Sequence, residues 1–161
     1  MIDWPVAELI PHAADMILID AVESFDDDTL HAVATVQADG LFSQADGSLP
    51  NWLALEIMAQ AVAAWAGCQA RAAGLPVELG FLLGTRRFTP YVDKLPAGAR
   101  LAVHVARSMQ DEAFGLGVFE CSLSQDNGQR LAEARLNVYR PPNVAQYIQE
   151  PVTNPAGQLE H

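Results

Sequence analysis

One long apolar stretch, residues 51–73, constrains the fold more than any other part of the chain. Alanine, the strongest helix former, is its commonest residue, no proline interrupts it, and Gly74 with Pro76 provides a stop signal. About twenty residues at 1.5 Å each would form a rod of roughly 30 Å. Because the segment from Trp52 to Cys68 is apolar on nearly every side, it predicts a helix buried in a protein core.

Two polar residues, Glu56 and Gln60, interrupt this apolar run. They are four positions apart and therefore share one face of the helix. A buried carboxylate must have hydrogen-bonding partners or hold its proton, so Glu56 is the main candidate for acid–base chemistry. The alternative is a carboxylate stabilised by the positive end of the helix dipole. Such a role does not require the apolar collar that Leu55, Ile57 and Met58 form.

The composition excludes several classes of protein. With 161 residues, 50% hydrophobic content and a mean hydropathy of +0.10, the chain is expected to form one globular domain with a substantial core. The formal net charge is −11 and only nine Lys and Arg residues occur, which argues against nucleic-acid binding because phosphate contacts need clustered basic side chains. Cys68 and Cys121 are too few and too isolated for a disulfide framework or a metal site, so we expect small buried side chains.

The sequence does not predict a secreted or membrane-spanning protein. Residues 1–5 contain neither the basic nor the apolar region of a signal peptide, and a cytoplasmic protein is expected. About 20 apolar residues would cross a bilayer, which makes a membrane span the competing interpretation of residues 51–73. Glu56 and Gln60 would then lie in hydrocarbon, and β-like sequence flanks the stretch. We therefore expect no membrane span.

Alternating patterns on both sides of the helix predict β-strands. Residues 29–37 alternate as a half-buried strand does and are expected to pair with the strand before them. Asn127 and Gly128 lie between two alternating runs and predict a hairpin with a type I′ turn, which needs two residues that tolerate positive φ. The predicted strands are residues 16–22, 29–37, 80–84, 101–106, 114–124 and 130–140.

This order of elements predicts an α+β fold in which an antiparallel sheet wraps around one long central helix. The predicted domain covers residues 1–145, followed by an irregular arm at 146–158 and by residues 159–161, which resemble the start of an affinity tag. One small sheet can cover only part of an apolar rod. We therefore expect a second subunit to cover the rest, which predicts a dimer.

Several motifs, in order along the chain, resemble those of the hotdog-fold 3-hydroxyacyl-(acyl carrier protein) dehydratases of type II fatty acid synthesis. They are residues 9–12 followed by 16–20, residues 55–61, residues 80–84 and residues 87–90. The resemblance is to the ApeP-like branch associated with aryl-polyene pigment synthesis, which shares the Leu49-Pro50-x-Trp52 approach to the helix. It covers residues 10–140 and implies the hotdog fold.

The resemblance also implies a composite active site. In this family a Glu on the helix works with a His from the loop before the other subunit's helix, and that His stands in a Gly-His-Phe triplet. The matching triplet here is Gly40-Leu41-Phe42, and leucine can neither take nor give a proton. Asn51 also replaces the Gly that follows Pro at the family's helix start. Glu56 could supply the acid, but this chain lacks the family's base.

His12 is the one nearby histidine that could replace the missing base. His31 and His104 fall on predicted strands, and His161 belongs to the suspected tag. A histidine after a proline in the lead-in to a strand often has a structural role, so both interpretations of His12 stay open. The predicted catalytic residues are Glu56, Gln60 and His12.

Candidate substrate-binding residues flank the helix on both sides. They are Trp52, Phe81, Leu82, Leu83, Arg86 and Arg87. The two adjacent arginines could meet the phosphate of a phosphopantetheine arm or an acidic acyl carrier protein, although a solvated pair at a strand end is an equal alternative. Since the resemblance implies a substrate carried on phosphopantetheine, we expect the chain to hold no cofactor of its own and no metal.

Three functions are compatible with these features. The first is a dehydratase-type subunit acting on carrier-bound 3-hydroxyacyl chains in fatty-acid-like or polyene biosynthesis, as a homodimer or with a His-bearing hotdog partner. The second is a catalytically silent acyl-binding or scaffold subunit. The third is a hotdog thioesterase, in which a carboxylate on the helix attacks the thioester or activates water.

Overall fold

A sheet of six antiparallel strands wraps around one long helix in the computed structural model of this chain. The structure describes residues 2–12, 14–77, 82–111, 115–139, 152–153 and 159–160. Two short 3₁₀ helices, Val6–Glu8 and Ala14–Met16, precede the sheet. The predicted α+β class, with a sheet around a central helix, is confirmed.

The strands and the helix follow in this order along the chain. They are β1 (Ile19–Phe25), β2 (Thr29–Thr35), β3 (Leu49–Pro50), α1 (Leu53–Ala72), β4 (Leu82–Pro90), β5 (Lys94–Leu95), β6 (Arg100–Asp111), β7 (Leu116–Gln125), β8 (Arg130–Tyr139), β9 (Val152–Thr153) and β10 (Leu159–Glu160). The short strands β3 and β5 pair with each other, as do β9 and β10.

The large sheet has the strand order β1-β2-β6-β7-β8-β4, which places β1 and β4 at its two edges. Inward-facing side chains of the central strands pack on α1, and Leu30, Val105, Leu123 and Leu136 are buried there. Trp65 of the helix meets Phe119 of β7 edge to face, with ring centroids 5.2 Å apart. The core therefore lies between one face of the sheet and the helix.

Helix α1 begins at Leu53 and ends at Ala72, just before the stop signal at Gly74 that the sequence predicts. Gly74 has a φ of 71°, its N–H donates to Arg71 O (3.1 Å), and Leu75 N–H donates to Ala70 O (2.8 Å). These two bonds satisfy carbonyl groups that the end of a helix would leave unpaired. The stop signal in the sequence is thus a glycine that closes the last turn.

The sheet covers only one side of α1. Trp52, Leu55, Glu56, Ala59 and Ala66, at helical spacing on the opposite side, are only partly buried or exposed in the single chain. The helix is apolar on nearly every side, yet the described residues cover this stripe only in part. The second subunit predicted from the sequence would cover this stripe.

Strand β1 begins later than predicted, at Ile19 rather than Met16. Residues Ala14–Met16 form a 3₁₀ turn, and Leu18 N–H donates to the side chain of Gln60 instead of a neighbouring strand. The apolar run from Met16 therefore lies over the helix before it enters the sheet. The hairpin of β1 and β2 is confirmed.

The hairpin at Asn127 and Gly128 is confirmed, but its turn differs from the predicted one. Gly128 N–H donates to Gln125 O (2.9 Å), so Asp126 and Asn127 are the two central residues. Gly128 follows them with a φ of 92°. The glycine supplies the positive φ after the turn and not within it, as in hairpins with three-residue loops.

Candidate active site at the start of the helix

Glu56 and Gln60 share one face of α1, as predicted, but their burial differs from the expectation. The side chain of Glu56 is 41% exposed, whereas Gln60 is fully buried. In the single chain Glu56 is therefore half-buried and not enclosed by the sheet. Glu56 lies on the side of the helix that the sheet does not cover, while Gln60 lies beneath the chain segment that leads into β1.

Gln60 joins Glu56 to the backbone of that segment. Its Oε1 accepts the N–H of Leu18 (2.8 Å), and its Nε2 donates to Met16 O (2.8 Å) and to Glu56 Oε1 (3.1 Å). The amide therefore satisfies two backbone groups of the lead-in and holds one carboxylate oxygen. This explains how a polar residue is tolerated in the core.

His12 meets the same carboxylate oxygen from the other side. Its Nε2 lies 3.2 Å from Glu56 Oε1, and 29% of its side chain is exposed. Nδ1 is buried and has no hydrogen-bond partner among the described residues. The three predicted catalytic residues, Glu56, Gln60 and His12, are thus brought together around one oxygen atom.

The segment before His12 is fixed along the helix. Leu9 and Ile10 are buried against it. At the far end, Arg71 Nη1 lies 2.6 Å from Glu8 Oε2, and its guanidinium lies 4.9 Å from the centroid of the Trp4 ring. The position of His12 therefore depends on how residues 4–10 pack along α1.

A surface cleft of about 440 Å³ opens beside Glu56. Its apolar lining consists of Met16, Phe42, Trp52, Leu53, Leu55, Ala59 and Leu136. Thr85 of the edge strand β4 completes one wall, and Trp52 is 57% exposed. Glu56 is the one titratable side chain among the described residues that line this cleft. An apolar wall with a single carboxylate suits an acyl chain whose reactive end lies at Glu56.

Leu41, the residue that the resemblance matches to a histidine, does not line the cleft beside Glu56. It is 65% exposed and lines a second, smaller cavity with Asp15, Asp20 and Gln37. Phe42, the next residue, lines both cavities. The loop that carries Leu41 therefore contributes the aromatic ring of Phe42 to the cleft of its own chain, and it contributes no proton-transfer group.

That loop is closed by a hydrogen-bonded network further along. Asp46 contacts Lys94 of β5, and the N–H of Ser48 donates to Asp46 Oδ1 (3.0 Å). The Lys94 side chain, followed by Ser48, holds the pKa of Asp46 well below its usual range. The network ties the loop before α1 to the small sheet of β3 and β5.

The remaining predicted site residues lie on β4 or next to it. Arg87 Nη2 is 3.8 Å from Glu120 Oε2, a carboxylate that also meets Arg135. Arg86 is exposed and makes no ion pair with a described residue. The backbone of Leu82 and Leu83 opens β4, and Phe81 lies outside the described residues.

Sequence reasoning missed several residues of the cleft. Met16, Phe42, Thr85 and Leu136 were not predicted to contribute to the site, although Phe42 belongs to the triplet that drew attention to Leu41. Thr85 and Leu136 come from neighbouring strands, and only the tertiary fold brings them to the helix. For such residues the sequence offers no local signal.

No group of three or more His, Cys, Asp or Glu side chains suited to a metal ion occurs within the described ranges. None of the helices in that part of the chain has the length and hydropathy needed to cross a membrane.

A six-stranded antiparallel sheet around one long helix, with an acidic residue near the helix start, defines a protein of the hotdog class. The family model of the ApeP-like dehydratases, described as ApeP dehydratase, matches residues 4–149, and the chain belongs to this family. This confirms the resemblance found in the sequence. Among proteins with curated functional descriptions, no significant match is found.

Solved structures support the same assignment. A chain of the dehydratase heterocomplex ApeI:P from Xenorhabdus doucetiae is 33% identical, with 91% of this chain and 99% of that chain covered and a TM-score of 0.78. The Escherichia coli PaaI protein from the phenylacetic acid degradation operon is 18% identical over 74% of this chain and 81% of that chain, with a TM-score of 0.52. A hypothetical thioesterase from Streptococcus pneumoniae, solved with coenzyme A, is 12% identical over 74% and 83%, with a TM-score of 0.54. The last two share the fold alone.

Proposed function

We propose that this chain is the glutamate-bearing subunit of a 3-hydroxyacyl thioester dehydratase, in which Glu56 works with a histidine supplied by a partner hotdog subunit. The observation that carries the proposal is the cleft beside Glu56, which is apolar and contains no other titratable side chain among the described residues. Membership of the ApeP-like dehydratase family supports the reaction type.

The chemistry requires two proton transfers. Removing water from a 3-hydroxyacyl thioester breaks a C–H bond at C2 and the C–O bond at C3, forms the C2–C3 double bond and releases water. The partner's histidine takes the proton from C2, and Glu56 gives a proton to the departing hydroxyl group. Each transfer should raise the rate by about 100-fold or more, as is typical of acid–base catalysis. The reaction is redox-neutral and needs no cofactor held by the chain.

Two open surfaces support the need for a partner. Strand β4 is an edge of the sheet, and the uncovered stripe of α1 lies beside the cleft. An unpaired strand edge next to exposed apolar side chains favours association with a second subunit. The X. doucetiae relative is one chain of a heterocomplex. We propose a mixed assembly for the present chain as well.

The proposed substrate is an acyl chain on the phosphopantetheine arm of an acyl carrier protein. The chain has a net charge of −11, so an acidic carrier needs a basic contact to overcome repulsion. Arg86 is exposed, makes no ion pair with a described residue and follows Thr85 of the cleft wall. Arg86 is therefore a better candidate for the phosphate than Arg87, whose guanidinium faces Glu120.

Co-expression with the hotdog proteins of the same organism tests the proposal. The purified complex is sized and mixed with a 3-hydroxyacyl carrier protein, and the mass loss of one water is followed. The proposal expects turnover by a mixed complex. It is overturned if every stable complex leaves the substrate intact.

A catalytically silent scaffold is the second candidate, because Leu41 occupies the position of the family's histidine. A scaffold would stabilise an active partner without contributing Glu56 to the chemistry. The same assay separates these functions when Glu56 is changed. Release of a free thiol from the acyl thioester would instead identify a thioesterase.

A further inference from the structure

We propose that His12 is a positioning residue for Glu56 and not the base of the reaction. This inference rests on the proposed function, since it assigns roles within the same site. A histidine can accept a proton on either of its two ring nitrogens. Neither is available to accept a proton from a substrate in the cleft.

Nδ1 cannot reach the substrate. It is buried and has no hydrogen-bond partner among the described residues. Leu9 and Ile10 are packed into the core just before His12 and fix the backbone that carries the ring. Proton transfer needs hydrogen-bonding reach to the reacting group or to a bridging water, and a buried nitrogen has neither.

Nε2 lies next to a carboxylate oxygen. It lies 3.2 Å from Glu56 Oε1, so a bare lone pair on Nε2 would face the lone pairs of an acceptor. The tautomer with its proton on Nδ1 would combine that repulsion with a buried N–H that has no acceptor among the described residues. Nε2 therefore carries a proton, whether the ring is neutral or charged, and its contact with Glu56 is electrostatic.

Both contacts of Glu56 fall on the same oxygen atom. Gln60 Nε2 lies 3.1 Å and His12 Nε2 lies 3.2 Å from Oε1, whereas neither contact involves Oε2. One oxygen is thus anchored by two nitrogens from different parts of the chain. Oε2 is the atom left to exchange a proton with a substrate, and His12 acts by fixing where that atom points.

Two substitutions of His12 separate positioning from acid–base catalysis. Glutamine places an N–H donor near the position of Nε2 but cannot act as a base at neutral pH. In the mixed complex, His12→Ala should lower kcat roughly 10-fold through loss of orientation, and His12→Gln should restore most of that loss. If His12 is the base, both variants lose about 100-fold or more, and the inference is wrong.

A measurement on the chain alone tests the same point without any activity. Nitrogen-15 NMR of the imidazole groups reports which ring nitrogens carry protons, and His12→Gln identifies the His12 signals. We expect protonated Nε2 at neutral pH and a shift of these signals in Glu56→Ala, with His31 and His104 unchanged. A neutral ring with its proton on Nδ1 would overturn the inference.

The two kinds of failure are distinguishable. If no complex dehydrates the substrate, the proposed function fails while the NMR result still decides the state of His12. If the complex is active but His12→Gln is as impaired as His12→Ala, the proposed function stands and the positioning role does not.

Discussion

Gly67 of the helix and the backbone carbonyl of Leu9 are packed so closely that no side chain fits between them. A Cβ atom on Gly67 would lie 2.2 Å from Leu9 O. Leu9 is fully buried at this contact, and His12 follows it in the same segment. The approach of the lead-in segment to α1, and with it the position of His12, therefore depends on a glycine in the middle of a helix.

The first prediction is that Gly67→Ala destabilises the protein. Alanine gains about 1 kcal/mol in helix propensity over glycine. The contact at 2.2 Å is to backbone, however, so the lead-in must shift, and overpacking of this kind costs about 1–3 kcal/mol. We expect a lower melting temperature together with a change in the His12 NMR signals.

Gly84→Ala is the matched control. An added Cβ there would lie 3.9 Å from Asn137 Cβ, an ordinary van der Waals distance. The melting temperature of this variant should change little. Equal stability of wild type and Gly67→Ala would show that the lead-in does not pack on the helix as described.

The second prediction concerns the buried amide of Gln60. Methionine has a similar shape but cannot pair with Leu18 N–H or Met16 O. Because the two backbone groups are only partly buried, Gln60→Met should lower the free energy of unfolding by about 1–3 kcal/mol in total. Chemical denaturation measures the difference.

The same change at Gln69 provides the control. Gln69 Nε2 donates to Asp26 O, but that oxygen also accepts from Trp65 Nε1 and stays paired after the substitution. Gln69→Met should cost about 1 kcal/mol or less. Equal effects at both positions would mean that Gln60 is not the anchor of the lead-in.

Much of the fold was predictable because its signals are local. The alternation of residues 29–37, the Asn127-Gly128 hairpin and the Gly74 stop each depend on neighbours in the sequence, and each is confirmed. The shared face of Glu56 and Gln60 follows from helical spacing alone. These features needed no knowledge of tertiary contacts.

The burial of Glu56 and Gln60 was not predictable in the same way. A helix that is apolar on all sides does not indicate which side will face the sheet. The half-buried glutamate and the buried glutamine follow from where the lead-in segment crosses α1, which is a long-range contact. For the same reason the sequence left two interpretations of His12 open.

The third prediction is that both cysteines are unreactive in the folded chain. Burial raises the pKa of the Cys68 thiol to about 11 and that of Cys121 to about 12, from an ordinary value of 9.0. Since the thiolate is the reactive form, alkylation at pH 8 should be slow until denaturant is added. Rapid labelling of the native protein would contradict the burial of both side chains.

The same shifts give a direction for stability against pH. The folded state holds its thiol protons more tightly than the unfolded state, so this contribution is fully present below pH 9.0. It is lost as the pH rises through the folded values of about 11 and about 12. Replacing Cys121 with alanine should weaken that alkaline dependence.

The fourth prediction is that the chain alone has little or no dehydratase activity. Leu41 provides no base, and no second titratable side chain lines the cleft among the described residues. The purified chain should leave a 3-hydroxyacyl carrier protein unchanged under conditions in which the mixed complex dehydrates it. Robust turnover by the isolated chain would refute the need for a partner.

The most direct test of the account is Glu56→Gln in the mixed complex. Glutamine keeps the size and hydrogen bonding of the side chain but cannot supply the proton, so turnover should fall by roughly 100-fold or more while sizing shows an intact complex. Glu23→Gln, the same change at an exposed residue of β1, should leave turnover unaltered. A Glu56→Gln complex that is assembled and fully active would contradict the account and identify the chain as a scaffold.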